Sequence, residues 1–308
     1  MLYAQPTFTR GHGFGNRLFP WARARVFAER HGARFVTPCW TRWAVGPWLR
    51  GGIARRHYRT QILLTGLFRA REGDVGVFEA VRATRKATVV AEPADLADAV
   101  PSTSSNDVVV RFEGYREYFR PLRGRERFLL DELRAITRPR WLALADRHAD
   151  VEVVANVRCG RDFARVRPAE GRIDPGDATP LPWFVDAVEC VRRAAGRRAR
   201  VLVVSDGTPR DLAPLLRLPD VELVRPGCAI SDLLVLSRAR VLLASGSSSF
   251  SAWGAFLGGM IVASHPGQPL TTWGLPDPSG AATRVELEPG RPSAGFLAAV
   301  AAALGPPR

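Results

Sequence analysis

The sequence contains almost no lysine, few cysteines and no long apolar run. Lys86 is the one lysine among 44 basic residues in a chain of 308, so arginine carries nearly all of the positive charge. The cysteines are far apart and form no C-x-x-C pair, which argues against a disulfide framework and a structural zinc site. No apolar stretch has the length needed to span a bilayer. The cysteines are Cys39, Cys159, Cys190 and Cys228.

The formal net charge of +14 favours anionic partners. The arginines are spread along the chain, and no helix-turn-helix, zinc-finger or RNA-binding signature is present, so no nucleic-acid partner is expected. A nucleotide sugar and the headgroups of an anionic membrane are the alternatives. The amino terminus has no basic segment followed by an apolar core, which predicts a cytoplasmic protein, either free or at the inner face of the membrane.

Apolar runs alternate with amphipathic segments in the second half of the chain, which is typical of βαβ units around a parallel sheet. The first half opens in the same way, with a strand, a glycine loop and a helix ending near Gly32. The sequence therefore predicts an α/β protein with a boundary near residue 150. Strands are expected at residues 3–8, 34–37, 151–158, 200–205, 221–224, 240–245 and 260–264, and helices at 128–149, 182–196, 208–216, 231–239, 250–258 and 291–304.

The segment SGSSSFSAWGAFL, residues 245–257, is the most informative one. It follows a buried strand and precedes a helix. Backbone N–H groups converge in such a loop, and the first turn of the helix adds N–H donors and the positive end of the helix dipole. With the hydroxyls of Ser247, Ser248 and Ser249, this arrangement indicates a phosphate site, although a serine run is by itself more often a plain loop.

Other polar residues follow strands at the same edge of the expected sheet, where ligands of parallel sheets bind. The guanidinium of Arg158 suits bidentate contact with a pyrophosphate, whereas the plainer interpretation is a surface arginine. Asp162 is placed either to pair with Arg158 or to orient an acceptor hydroxyl. Asp206 lies in a turn that needs no function. Asp232 begins a helix, where the dipole favours it, but its carboxylate also suits the N1–H and N2 amino edge of guanine.

The glycine loop at Gly13, Gly15 and Asn16 lies between a strand and a helix. It lacks the third glycine and the later acidic residue of a dinucleotide fingerprint, so it is a poor nicotinamide site. The five histidines show no metal-ligand spacing, and no metal is expected.

Taken in order, these segments resemble the α-1,2-fucosyltransferases, which belong to a superfamily with the α-1,6- and protein O-fucosyltransferases. GHGFGNRLF at residues 11–19 resembles GGLGNQ(L/M)F, NVRCGRDF at 156–163 resembles H(V/I)RRGD(Y/F), and SSSFSAWGAFL at 247–257 resembles NS(S/T)FSWWGAWL. The order and rough spacing agree over residues 11–257. Shorter matches are GYREYF at 114–119, PLPWFVDA at 180–187, VVSD at 203–206 and DLLVLS at 232–237.

The resemblance implies a GT-B-like fold, in which an acceptor-side Rossmann-type domain (residues 1–150) and a donor-binding one (151–308) have parallel sheets facing a central cleft. It implies transfer of fucose from GDP-fucose to a glycan hydroxyl with inversion, without a metal or other cofactor. The implied catalytic residues are Arg158, which stabilises the leaving GDP, and Asp162, the candidate base. The implied donor-binding residues are Gly13, Gly15, Asn16, Asn156, Asp206, Asp232, Ser247, Ser248, Ser249 and Phe250.

Three departures from the family pattern leave alternatives open. Asn156 stands where the family has histidine, Arg161 is inserted in the second motif, and Gly207 replaces the second acid of FSDD. Another nucleotide sugar, such as GDP-mannose, is the alternative donor for the same fold. A non-catalytic basic protein that binds nucleotides or nucleic acid is the alternative outside the enzymes.

Overall fold

The computed structural model describes residues 1–9, 12–38, 40, 66–100, 107–159, 178–225, 227–275 and 283–305. Asp162 lies outside these residues. The chain folds into two compact units, residues 1–142 and 143–308. Each unit has a parallel β-sheet of its own, so the α/β class is confirmed. Among the described helices, none combines the length and apolar character that crossing a membrane requires.

The first unit is built on a four-stranded parallel sheet. Its strands are β1 (Leu2–Pro6), β2 (Arg34–Phe35), β3 (Thr88–Ala91) and β4 (Val108–Phe112), in the order β2-β1-β4-β3. A bridge between Val36 and Val75 extends the sheet beside β2. The helices are α1 (Phe14–His31), α2 (Val77–Thr84), α3 (Glu126–Ile136) and α4 (Pro139–Asp146), the last of which runs across the boundary between the units.

Helix α1 is almost wholly buried, and most of its arginine side chains are buried with it. It ends at Gly32, whose φ of 60° is the left-handed conformation that glycine adopts without strain. Arg23 is 1% exposed and pairs with Glu92 at 2.7 Å. Arg25 pairs with Asp74 at 2.6 Å. Because a buried cation is stable only when paired, these contacts fix α1 against the residue after β3 and against the segment before α2.

Two helix predictions were wrong in extent. The helix expected at residues 128–149 is broken into α3 and α4, because Pro139 has no N–H and disfavours helical backbone in the residue before it. The helix expected at 208–216 is reduced to a single turn, Ala213–Leu216. There, the Asp211 carboxylate accepts hydrogen bonds from the N–H and hydroxyl of Thr208, which competes with helix formation.

The second unit is built on a six-stranded parallel sheet. Its strands are β5 (Val153–Val157), β6 (Val201–Ser205), β7 (Val221–Leu223), β8 (Val241–Ala244), β9 (Ile261–Ser264) and β10 (Arg284–Glu286), and their order is β10-β9-β8-β5-β6-β7. Its helices are α5 (Leu181–Ala195), α6 (Ala213–Leu216), α7 (Ala229–Leu236), α8 (Ser249–Gly258) and α9 (Ala294–Leu304).

The central strands of this sheet are buried on both faces, as expected for a parallel sheet covered by helices. On one face, alternate strand residues pack with α5 and α9 in one apolar cluster, which includes Val153, Val201 and Val241. Residues of opposite alternation are also buried. Helices α7 and α8 pack closely together, since a Cβ on Gly254 would lie 2.8 Å from Leu236 Cβ.

The strand order of the second sheet reverses between β5 and β8. The chain proceeds from β5 through β6 and β7 on one side, and from β8 through β9 and β10 on the other. This is the doubly wound order of a Rossmann fold, in which a crevice opens beyond the carboxyl ends of the two central strands. We call the region beyond β5 and β8 the switch point.

Candidate functional site

The two central strands of the second unit are joined by hydrogen bonds just beyond their carboxyl ends. Arg158 follows β5, and its backbone N–H donates to Ser245 Oγ at 2.9 Å. The N–H of Ser245, which follows β8, donates to the carbonyl of Asn156 at 3.1 Å. These bonds place Arg158 directly beside the serine loop, as the sequence pattern predicts.

Arg158 is held by Asp206, which follows the neighbouring strand β6. The guanidinium Nη1 lies 3.2 Å from Asp206 Oδ2, and the backbone N–H of Cys159 donates to Oδ1 at 2.7 Å. The carboxylate is therefore oriented by two donors from the β5 end. A quarter of the Arg158 side chain is exposed, so the switch point offers a positive group that a ligand can reach.

The serine loop makes a tight turn before α8. Ser247 has a φ of 53°, which is left-handed backbone that non-glycine residues rarely adopt. Ser248 caps α8, its Oγ accepting from the N–H of Ser251 at 3.3 Å. Because α8 begins at Ser249, its first turn directs N–H groups and the positive dipole end toward the carboxyl edge of the sheet. Ser247, Ser249 and Phe250 are half-buried, whereas Ser248 is buried.

The base of this loop is fixed by a buried polar chain. The N–H of Gly246 donates to Thr179 Oγ1 at 3.1 Å, and the Thr179 hydroxyl donates to Gln268 Oε1 at 2.7 Å. A Cβ on Gly246 would lie 2.2 Å from Gln268 Cβ, so only glycine allows this approach. The loop is thus built before any ligand arrives.

The side-chain amide of Asn156 forms hydrogen bonds inside the protein through both its nitrogen and its oxygen. Nδ2 donates to the carbonyl of Val204 at 3.2 Å, and Oδ1 accepts the hydroxyl of Ser251 at 2.7 Å. The side chain is 2% exposed. These contacts tie β5 to β6 and α8, which favours a role in positioning α8. Contact between Asn156 and a donor stays a prediction.

Asp232 lies in the first turn of α7 and is buried. Burial raises the pKa of its carboxyl to about 7, while the positive charge of Arg225 opposes that rise. A Cβ on Gly227 would lie 2.1 Å from Asp232 Oδ1, so glycine makes room for the carboxylate. Arg225 also donates to the carbonyl of Gly207 at 3.0 Å, which links this region to the end of β6.

The predicted glycine loop lies in the first unit, at the start of α1. Gly13 is the exposed residue before the helix, with extended backbone, and Gly15 and Asn16 lie in the first turn. Arg17 anchors the turn by donating to the carbonyls of His12 (3.2 Å) and Trp40 (2.9 Å). In this sheet β1 lies between β2 and β4, so the loop extends from the carboxyl end of a central strand.

An aromatic cluster beside this loop was not assigned any role from the sequence. The rings of Tyr115 and Tyr118 are nearly parallel, with centroids 5.8 Å apart, and the His12 ring lies 5.2 Å from Tyr115. Tyr115 is 38% exposed. Glu117 and Tyr118 have φ near 50°, so the turn that carries the rings is strained. The sequence pattern identifies the GYREYF segment, which contains this turn, as a match to the family but gives its residues no role.

Arg23 holds the start of that turn. Its Nη2 donates to the carbonyls of Glu113 at 2.7 Å and Gly114 at 3.2 Å, while its Nε pairs with Glu92. No group of three or more His, Cys, Asp or Glu side chains suited to a metal occurs among the described residues.

No family model and no curated protein matches the chain. Among solved structures, the fold is similar to that of POFUT1 in complex with GDP, with a TM-score of 0.50 and 13% identity over 85% of this chain and 98% of that one. The fucosyltransferase NodZ from Bradyrhizobium matches with a TM-score of 0.46 and 14% identity, over 83% of this chain and 92% of that one. The similarity to POFUT1 supports the α/β fold with two parallel sheets. Neither structure is described as an α-1,2-fucosyltransferase, so that finer assignment stays a prediction.

Proposed function

We propose that the protein is a glycosyltransferase that moves fucose from GDP-fucose to a hydroxyl of a glycan. One observation carries this proposal: at the switch point the backbone N–H of Arg158 bonds to Ser245, so the residue that carries the guanidinium lies next to the loop that leads into α8. A cation next to a helix amino terminus is complementary to a diphosphate. The resemblance of the sequence segments supports GDP-fucose, and POFUT1, which has a similar fold, is described in complex with GDP.

The reaction exchanges one C–O bond for another. The acceptor hydroxyl oxygen attacks the anomeric carbon of fucose from the face opposite GDP and inverts it. The bond to the β-phosphate breaks, and its electron pair leaves with GDP, so negative charge grows on the diphosphate. Arg158 and the N–H groups at the start of α8 stabilise that charge, which is the term that most accelerates such a step. The acceptor proton passes to a base, for which Asp162 is our candidate.

The predicted donor residues then take different roles. Ser247, Ser249 and Phe250, which are half-buried, contact the phosphates through backbone N–H or hydroxyl groups. Asp206 orients Arg158. Asn156 and Ser248 hold α8 in place, and Asp232 accepts hydrogen bonds from guanine. With these residues as its ligands, we expect no metal to bridge the diphosphate.

The first unit supplies the acceptor side in this proposal. Contact of Gly13, Gly15 and Asn16 with the donor stays a prediction. The exposed ring of Tyr115, stacked on Tyr118, offers a flat apolar surface with hydroxyl groups at its edge. The C–H face of a pyranose ring fits such a surface, so we assign the two tyrosines to the acceptor glycan.

The proposal is tested first by binding. Calorimetry with GDP, UDP, NAD and a short DNA duplex should show binding of GDP above all others, whereas binding of DNA alone would favour the non-catalytic alternative. Turnover of GDP-fucose and GDP-mannose in the presence of a chelator should then show fucose transfer without added metal. Turnover of GDP-mannose alone would support the alternative donor, and turnover of neither would contradict an enzyme.

A further inference from the structure

The outer face of α2 carries large apolar side chains in water. Phe78 is 93% exposed and Val81 is 65% exposed. Single apolar residues at a protein surface are common, but a cluster marks a contact surface. The large exposed apolar residues of the described chain are Met1, Phe78, Val81, Val89 and Tyr115.

The helix has one face toward the sheet and one toward solvent. Ala80 is buried in a cluster with Tyr3 and Val109. Residues three, four and seven positions apart share a helix face, so Phe78, Val81 and Arg82 share the opposite side of α2. Arg85, the residue after the helix, continues its backbone geometry and extends that face.

Val89 of the edge strand β3 lies on the same side of the unit. It pairs with Val109 in the parallel register, and paired residues point to the same face of a sheet. Val109 faces α2, because it packs with Ala80. Val89 is 47% exposed, so α2 does not cover it.

Positive charge lies next to these apolar residues along the chain. Arg82, Arg85 and Lys86 are exposed, and the one acidic residue of α2, Glu79, pairs with Arg34 at 2.9 Å. We define the α2 surface by its apolar and basic members together. They are Phe78, Val81, Arg82, Arg85, Lys86 and Val89.

We propose that the α2 surface docks the protein on an anionic phospholipid membrane. Apolar side chains of such a helix enter the boundary between headgroups and acyl chains, while neighbouring arginine and lysine side chains bind lipid phosphates. The other simple occupant, the same surface of a second copy, would bring three cations of each chain face to face. Charge complementarity therefore favours the membrane. The proposal does not depend on fucosyl transfer.

The test is co-sedimentation of the full chain with vesicles of phosphatidylcholine, with and without phosphatidylglycerol. We expect binding only to the anionic vesicles and less of it at high salt. Arg82→Gln/Arg85→Gln should lower the partition coefficient roughly 30-fold, because each charge contributes separately. Phe78→Ser/Val81→Ser should lower it at least about tenfold.

The matched control removes the same charge elsewhere. Arg127→Gln/Arg217→Gln changes two exposed arginines outside the α2 surface and should alter partition less than about twofold. Hydrogen exchange of the wild-type chain should show protection of residues 77–91 by anionic vesicles, which tests the surface without a variant. Four outcomes would overturn the proposal. They are equal losses of vesicle binding in the two arginine variants, unchanged binding of Phe78→Ser/Val81→Ser, no protection of residues 77–91, and a dimer that Phe78→Ser/Val81→Ser abolishes.

Discussion

Arg158 and Asp206 extend from the carboxyl ends of neighbouring strands, and their side chains pair at 3.2 Å. The N–H of Cys159 donates to the other carboxylate oxygen at 2.7 Å, so Asp206 is held from two sides. The guanidinium is thereby fixed beyond the carboxyl ends of β5 and β6 before a ligand binds. A cation already in place needs no reordering when charge develops on a leaving diphosphate.

Replacing Arg158 should affect turnover far more than folding. We expect Arg158→Ala to lower kcat about 10²–10³-fold, because a charge-stabilising donor is lost. Thermal unfolding should stay within a few degrees of the wild type, since the side chain is partly exposed. Arg200→Ala is the matched control, because the Arg200 side chain is 53% exposed and pairs with the exposed Glu222. Wild-type turnover in Arg158→Ala would refute the role of Arg158.

The strained turn at Ser247 can be tested with one substitution that relieves the backbone strain and one that increases it. Left-handed backbone costs a non-glycine residue about 1–2 kcal/mol, so Ser247→Gly should raise stability or leave it unchanged. Ser247→Val should lower stability and weaken GDP binding, because a β-branched residue resists this backbone and the loop would open. Urea unfolding and calorimetry measure the two effects. GDP affinity that is equal in both variants would show that the turn does not shape the phosphate site.

The buried contact between Asn156 and Ser251 should show strong coupling. Asn156→Leu leaves the Ser251 hydroxyl and the Val204 carbonyl without their side-chain partner, which costs about 1–3 kcal/mol. Ser251→Ala removes the hydroxyl that donates to Asn156 Oδ1, so this buried oxygen loses that hydrogen bond. The double variant should lose less stability than the sum of the single ones. Additive losses would mean that the two side chains do not act as a unit.

Protein stability should fall with pH through the titration of Asp232. Its carboxyl has a pKa of about 7 in the folded protein, mainly because of burial, whereas the ordinary value of an aspartate, which applies to the unfolded chain, is 3.8. The folded state therefore binds more protons over this interval, and stability is lost as pH rises toward and through 7. Asp232→Asn stays neutral, so its melting temperature relative to wild type should rise by several degrees from pH 5 to pH 8. A constant difference across that interval would place the titration elsewhere.

GDP binding should have the opposite pH dependence if Asp232 recognises guanine. Only the carboxylate accepts both N–H groups of the base, and the carboxylate fraction grows about tenfold between pH 6 and pH 8 for a pKa of about 7. GDP affinity should rise by that factor. Asp232→Asn should bind GDP weakly at both pH values. Gly227→Ala, which forces the carboxylate to move, should weaken GDP binding with no change of charge.

The tyrosine pair should govern the acceptor and leave the donor alone. Tyr115→Ala removes the exposed ring of the stack, and we expect the acceptor KM to rise at least about tenfold while GDP affinity stays unchanged. Tyr115→Phe keeps the ring and should restore most of the acceptor affinity. Phe78→Ala is a control for loss of an exposed aromatic ring in the same unit. Equal KM values in Tyr115→Ala and the wild type would remove the tyrosines from the acceptor site.

The repeating pattern of the second unit was predictable because its signals are local. Apolar runs marked β5, β6 and β8, and small residues after β8 marked the serine loop. Neither the ion pair between Arg158 and Asp206 nor the buried hydrogen bonds of Asn156 could be predicted, because the partners lie 48 or more positions apart in the sequence. The sequence offers Asp162 either as a partner of Arg158 or as a group that orients an acceptor hydroxyl, and both stay predictions because Asp162 lies outside the described residues.

The most direct test of the central claim is a crystal structure of the protein with GDP. The account predicts that β-phosphate oxygens lie within hydrogen-bond distance of the Arg158 guanidinium and of backbone N–H groups in residues 247–250, with no cation between them. A diphosphate bound away from these residues, or bridged to the protein by a divalent metal, would contradict it.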